Sequence, residues 1–254
     1  MKKYIKKRLT AFIQRLIDED NERTARRSPH DIDKYTLRVR NFDFLAKAMG
    51  WDKRPKIDTD QVDIYNILED LNERPLRDMQ VILGACANKD QEGCNILEIG
   101  TAYGQTTKYM SENAPNSTIY TINIPPEKIE GGGDMVTYCL SHDEIGREYK
   151  KAGCQNVVQI LENTLHWNPK IDPIDVALID GCHDPEFVYQ DTVKVLSKCK
   201  KGSIILWHDF NPDLVQHYDW VKGVCTAVVD LYEDGHLTNK VLHLQDSYVG
   251  LYVV

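Results

Sequence analysis

The stretch Asn95-Ile96-Leu97-Glu98-Ile99-Gly100-Thr101-Ala102-Tyr103-Gly104-Gln105-Thr106-Thr107 decides how the rest of the chain is read. Its apolar opening predicts a buried strand, Gly100 a tight turn, and Thr106 or Thr107 the cap of a helix. A helix starting there points its free amide ends at an anionic group, and Gly104 lets backbone approach closely, so the unit has a nucleotide-binding geometry. The glycines are spaced as GxxxG, not as the GxGxxG of dinucleotide sites, and Glu98 stands two residues before the first of them. A carboxylate there would repel a pyrophosphate and attract an ammonium or sulfonium group.

Outward from this stretch, short apolar runs alternate with helical patterns: STIYTINI, NVVQIL, DVALID and GSIILWHD follow, and the chain ends in KVLHLQDSYVGLYVV. Alternating strands and helices imply a parallel sheet with helices on both faces. The final run holds a turn between two apolar halves and reads as an antiparallel hairpin. Upstream the texture differs. The pattern stays helical from 28 to about 90, with SPHD and DTDQ as start signals and Pro55 and Pro75 as breaks, so 1–90 reads as a helical cap and 91–254 as the main domain.

At 254 residues with 42% hydrophobic and 28% charged side chains, the chain is long enough to bury a large core and is unlike a disordered or low-complexity protein. Its net charge of −8 argues against duplex nucleic acid as a partner. Residues 1–40 depart from that average with twelve Lys or Arg against six acids. Within them Tyr4, Ile5, Leu9, Phe12, Ile13, Leu16 and Ile17 fall on one helical face, which would pack on the chain's own core, pair a homodimer or, as the sharper alternative, lie on a membrane surface. No run reaches the length of a membrane span. Seven cysteines, odd in number, scattered and without a CxxC pair, read as reduced thiols in a cytoplasmic protein.

The acid-x-Gly-x-x-x-Gly run, together with IDGCHDPEFVYQD and KKGSIILWHDF, resembles the class I S-adenosylmethionine-dependent methyltransferases, in particular their small-molecule O-methyltransferase branch, over about 95–254. The resemblance implies a Rossmann-like, mostly parallel seven-stranded sheet and S-adenosylmethionine as cofactor. It puts Glu98, Gly100, Thr101, Tyr103, Gly104, Thr106 and Asp180 in the cofactor site. Asn123 falls where the family holds the ribose with an acid, and Asn163 where it reads the adenine; ordinary turn chemistry is the alternative at both. It also implies a divalent cation, Mg²⁺ or Mn²⁺, on Asp180, His208 and Asp209, with pocket shaping as the alternative. His183 falls at the place of the general base, and its imidazole suits that work near neutral pH.

Two rival readings use the same residues. Asp180, His183, His208 and Asp209 contain a two-histidine, one-carboxylate set for iron, as in cephalosporin-hydroxylase-type proteins, and the asparagines at acidic positions would suit a binding protein that has kept the fold. Gly131-Gly132-Gly133 reads as a flexible flap. Trp167, Trp207, Tyr218 and Trp220 line an acceptor pocket or simply pack.

Overall fold

The computed structural model describes residues 31–57, 74–129 and 139–254. The amphipathic run at 4–17, the DTDQ start signal and the three-glycine run at 131–133 lie outside them. The described chain forms α1 (Ile32–Tyr35), β1 (Thr36–Val39), α2 (Phe42–Met49), α3 (Arg74–Lys89), β2 (Asn95–Ile99), α4 (Gln105–Asn113), β3 (Thr118–Asn123), α5 (Arg147–Ala152), β4 (Val157–Leu161) and β5 (Ile174–Ile179). It continues through α6 (Pro185–Leu196), β6 (Cys199–Trp207), α7 (Asp219–Glu233), β7 (Val241–Leu244) and β8 (Gly250–Val253).

One eight-stranded sheet runs in the order β1-β7-β8-β6-β5-β2-β3-β4. Every neighbouring pair is parallel except β6 with β8 and β7 with β8, so β8 alone runs backwards. Seven of the strands are those expected from the apolar runs, including the closing hairpin. The eighth is a difference: β1, on Thr36-Leu37-Arg38-Val39, breaks the helical pattern expected upstream and pairs with β7. Four residues are too short to show a period, and β1 owes its form to the open edge of β7, not to its own propensity. Pro75 lies at the start of the described part of α3.

Strand alternation sends side chains to two cores. Leu97, Ile99, Ala177, Ile179, Ile205 and Trp207 face α1, α6 and α7, while Ile96, Val176, Leu178, Ile204 and Leu206 face α2, α3 and α4. The result is a three-layer arrangement with both sheet faces covered, which parallel strands require. Crossovers leave β2 toward β3 on one side and return to β5 on the other, which opens a crevice at the carboxyl ends of β2 and β5.

Gly100 sits at the floor of that crevice with φ +107, and a Cβ there would lie 2.0 Å from the carbonyl oxygen of Asp180. Only glycine allows this approach. Gly93 also has positive φ, at +79, but faces open space. Gly93→Ala should cost about 1–2 kcal/mol for the left-handed backbone alone, whereas Gly100→Ala should cost roughly 4 kcal/mol or more because backbone must also move. Urea denaturation of the two variants checks this, and equal losses would contradict it.

Candidate active site

The loop from Gly100 to Gly104 is fastened from three sides. The amides of Gly100 and Thr101 both donate to Ile122 O at 2.9 and 3.1 Å, and Ala102 N donates to Asn123 Oδ1 at 3.0 Å. From α5 and its approach, Gly146 N donates to Ala102 O, Glu148 N donates to Tyr103 O, and the Arg147 guanidinium lies 4.1 Å from the Tyr103 ring centre. Asn123, at the end of β3, therefore holds the loop. Gly104 occupies the N-cap of α4 with φ +81 and without a side-chain cap, so neither Thr106 nor Thr107 caps the helix as expected.

Thr107 instead turns inward to Glu98. The Glu98 carboxylate is 1% exposed and accepts from Thr107 Oγ1 and Thr121 Oγ1, each at 2.5 Å. A hydrogen-bonded chain continues from Thr121 through Thr101 and Gln159 to the hydroxyl of Tyr149. Burial pushes the Glu98 carboxyl up to about 8, against the pull of the two threonines. The charge attraction expected of Glu98 thus has no open face; the side chain braces the glycine loop from beneath, because residue alternation sends it to the core side with Ile96.

The second half of the crevice is ionic. Asp180 ends β5, with its amide on Ile99 O, and His208 and Asp209 end β6, with the His208 amide on Ile179 O. His208 Nδ1 lies 3.2 Å from Asp180 Oδ1 and 3.1 Å from Asp209 Oδ2. His183 Nε2 lies 2.9 Å from the same Asp209 oxygen. That approach is out of line for a hydrogen bond, and His183 Nε2 is a buried nitrogen without a hydrogen-bond partner among the described residues. Asp209 holds a left-handed backbone with φ +55, a strain of about 1–3 kcal/mol that such clusters sustain.

Charge follows from these contacts. Burial disfavours a protonated His208, but Asp180 and Asp209 outweigh it and hold the ring well above its ordinary value. His183 is also raised, since the Asp209 contact and the Asp180 charge exceed the cost of burial. Asp209 is buried too, yet the two imidazoles hold it well below the usual carboxylate range. Among the described residues, one group of His, Cys, Asp or Glu brings three ligand atoms within 4.8 Å of one another: Asp180, His183 and Asp209. His208, expected in such a group, lies between the two acids.

Other expected residues stand apart from this cluster. Asn163 is buried in the turn after β4, its Oδ1 accepting from Leu165 N at 3.0 Å, in the ordinary turn chemistry of asparagine. Trp207 and Trp167 belong to the core, whereas Tyr218 stacks on Trp220 at 4.7 Å and Trp220 is 46% exposed. Asp78, which the sequence reading missed, comes from α3: its Oδ2 lies 3.7 Å from His208 Nε2. No sequence motif marks it; the signal was an acid inside the apolar repeat of a helix.

With this geometry in place, residues 97–210 match the family model of a methyltransferase domain. By that match the segment is a methyltransferase domain. Its fold is that of O-methyltransferases among solved structures. It is similar to the O-methyltransferase NovP, with a TM-score of 0.53 and 12% identity over 69% of this chain and 78% of that one. It is also similar to the O-methyltransferase TomG from Streptomyces achromogenes, involved in tomaymycin synthesis and solved with S-adenosylmethionine, with a TM-score of 0.51 and 17% identity over 79% of this chain and 91% of that one. No curated protein matches the chain in sequence. Among the described residues of this methyltransferase, no helix is long and apolar enough to cross a membrane.

The buried Glu98 makes stability of the methyltransferase depend on pH. Its folded value of about 8 lies above its ordinary 4.5, so the folded state binds the proton more tightly, and stability falls as pH climbs through that interval. Glu98→Gln keeps an acceptor for Thr107 and Thr121 and removes the titration. The variant should melt increasingly higher than the wild type between about pH 5 and 8, measured by calorimetry; parallel curves would contradict the assignment.

Proposed function

We propose that this methyltransferase moves the methyl group of S-adenosylmethionine to a hydroxyl of a small molecule, and that Asp180, His183 and Asp209 act on that hydroxyl. The carrying observation is the buried His183 Nε2, which lacks a hydrogen-bond partner among the described residues, beside two carboxylates at the mouth of the crevice. The cofactor, when bound, supplies an electrophilic methyl on a sulfonium. The glycine loop at the crevice floor, with Thr101, Tyr103 and Asn123 along it, fits that ligand, because its backbone is fixed before binding and needs no ordering.

Toward the acceptor, His183 takes the hydroxyl proton as attack on the methyl proceeds, and Asp209, 2.9 Å from its Nε2, stabilises the imidazolium formed. Proton removal and in-line placement are the parts of the barrier this chain can lower. The buried Nε2 with Asp180 and Asp209 also fits a divalent cation, which would supply Lewis acidity to the hydroxyl. One imidazole with two carboxylates suits Mg²⁺ or Mn²⁺ better than the two-histidine, one-carboxylate set of an iron hydroxylase. The region upstream of residue 91, which supplies Asp78, is the part we assign to acceptor choice.

Transfer of labelled methyl from the cofactor to a panel of phenols and sugars tests the proposal. His183→Ala should lower the rate by about 10²–10⁴, while calorimetry shows the cofactor still binding. A wild-type protein that binds neither the cofactor nor its demethylated product would defeat the reading. Chelation separates the two roles of His183: a rate lost with chelator and restored by Mg²⁺ or Mn²⁺ assigns it to the cation, and an unchanged rate assigns it to the proton.

A further inference from the structure

We infer that Asp78 is a positioning residue of this site, acting through His208 to hold Asp180 and Asp209 where His183 needs them. The inference rests on the methyl-transfer reading above and extends it to a residue outside the matched 97–210 span.

A carboxylate is an expensive group to place inside a helix–sheet interface, and Asp78 is 6% exposed there. Its two oxygens divide the work that offsets the cost. Oδ1 accepts from the backbone N–H of Tyr248 at 2.6 Å, in the turn between β7 and β8. Oδ2 faces His208 Nε2 at 3.7 Å, an ion-pair contact on the side of the ring opposite to Nδ1. The ring is thereby held at both ends, by Asp78 on one and by Asp180 and Asp209 on the other. A flip about the Cβ–Cγ bond would take Nδ1 away from two carboxylates and Nε2 away from a third, so the ring has one favourable orientation.

That orientation bears on the chemistry because Asp209 Oδ2 is shared. It meets His208 Nδ1 at 3.1 Å and His183 Nε2 at 2.9 Å. If His208 turns, Asp209 loses one of its two cationic neighbours and with it the reason to keep its left-handed backbone. His183 would then lose the carboxylate that orients it. None of these contacts involves the bonds that fasten the glycine loop to Ile122 and Asn123. The effect of Asp78 therefore falls on turnover and not on cofactor binding.

The test is a double-mutant cycle in the full chain. Asp78→Asn keeps the size of the side chain and an acceptor for Tyr248 N while removing the charge, and His208→Gln removes the ring. Asp78→Asn should lower kcat about 10–100-fold, the usual effect of a group supporting a site residue from behind, with the dissociation constant for the cofactor unchanged by calorimetry. The double variant should be no slower than His208→Gln alone. Losses that multiply, or an unchanged kcat in Asp78→Asn, overturn the inference, because a residue that only stabilises the fold would act independently of His208. Histidine-selective ¹⁵N NMR of the wild-type chain gives a readout that needs neither turnover nor a folded variant at Asp78. The Nε2 proton of His208, assigned by its loss in His208→Gln, should exchange slowly with solvent because Asp78 and α3 cover it. Fast exchange overturns the inference even if methyl transfer is confirmed, and slow exchange in a protein that transfers no methyl group leaves the positioning contact standing while the reaction falls.

Discussion

The bare Cα of Gly100 against the carbonyl of Asp180 is the contact on which the site depends. Two parallel strands, β2 and β5, end side by side here while their crossovers leave to opposite faces of the sheet. Such a point would be an open gap unless one chain could lean against the other. The missing side chain permits that lean, and the amide of Asp180 completes it by donating to Ile99 O at 2.8 Å. The loop then extends over β3, where Ile122 O receives two of its amides, and under α5, which donates two more. A binding loop fixed this way spends little of the ligand's binding energy on being ordered.

Carboxylates near the crevice fall into two kinds, and the difference is what each is offered in place of water. Glu98 receives hydroxyls alone, so the cheaper outcome is to keep its proton. Asp209 receives two imidazoles, which hold it down while the acids hold the rings up. Such a cluster is costly to bury and is weak as a source of stability. Its value lies in a constellation whose members fix one another around the Asp209 carboxylate.

The glycine loop, the central strands, the closing hairpin and the Asp180, His183, His208 and Asp209 constellation were legible because each follows a local rule: an apolar run, a turn residue, or a polar group just past the end of a strand. What could not be read depends on groups distant in sequence. Glu98 looked like a charge facing a ligand, since its spacing to Gly100 is local; whether it meets solvent or Thr121 depends on how β2 pairs with β3. The contact of His208 with both acids, Asp180 and Asp209, is of the same kind. Both stand beside strand ends, and only the side-by-side placement of β5 and β6 turns His208 between the two acids. The strand at Thr36–Val39 was hidden for a related reason, because its partner β7 lies some two hundred residues later.

Helix α3 shows why the matched family segment does not contain all that the segment needs. Val81, Ile82, Leu83, Ala85 and Cys86 are almost wholly buried against Ile96, Val176, Leu178 and Ile204. A parallel sheet must cover both faces, and without α3 this part of the sheet would stand in water. At about 25 cal/mol per Å² of apolar surface, such a face is a large share of the few kcal/mol by which a domain is stable. The helix is therefore bound to the sheet by packing before any chemistry is asked of it. Once it is held there, a single acid on its buried side stands beside the end of β6, so the requirement to cover the sheet also delivers the carboxylate that meets His208.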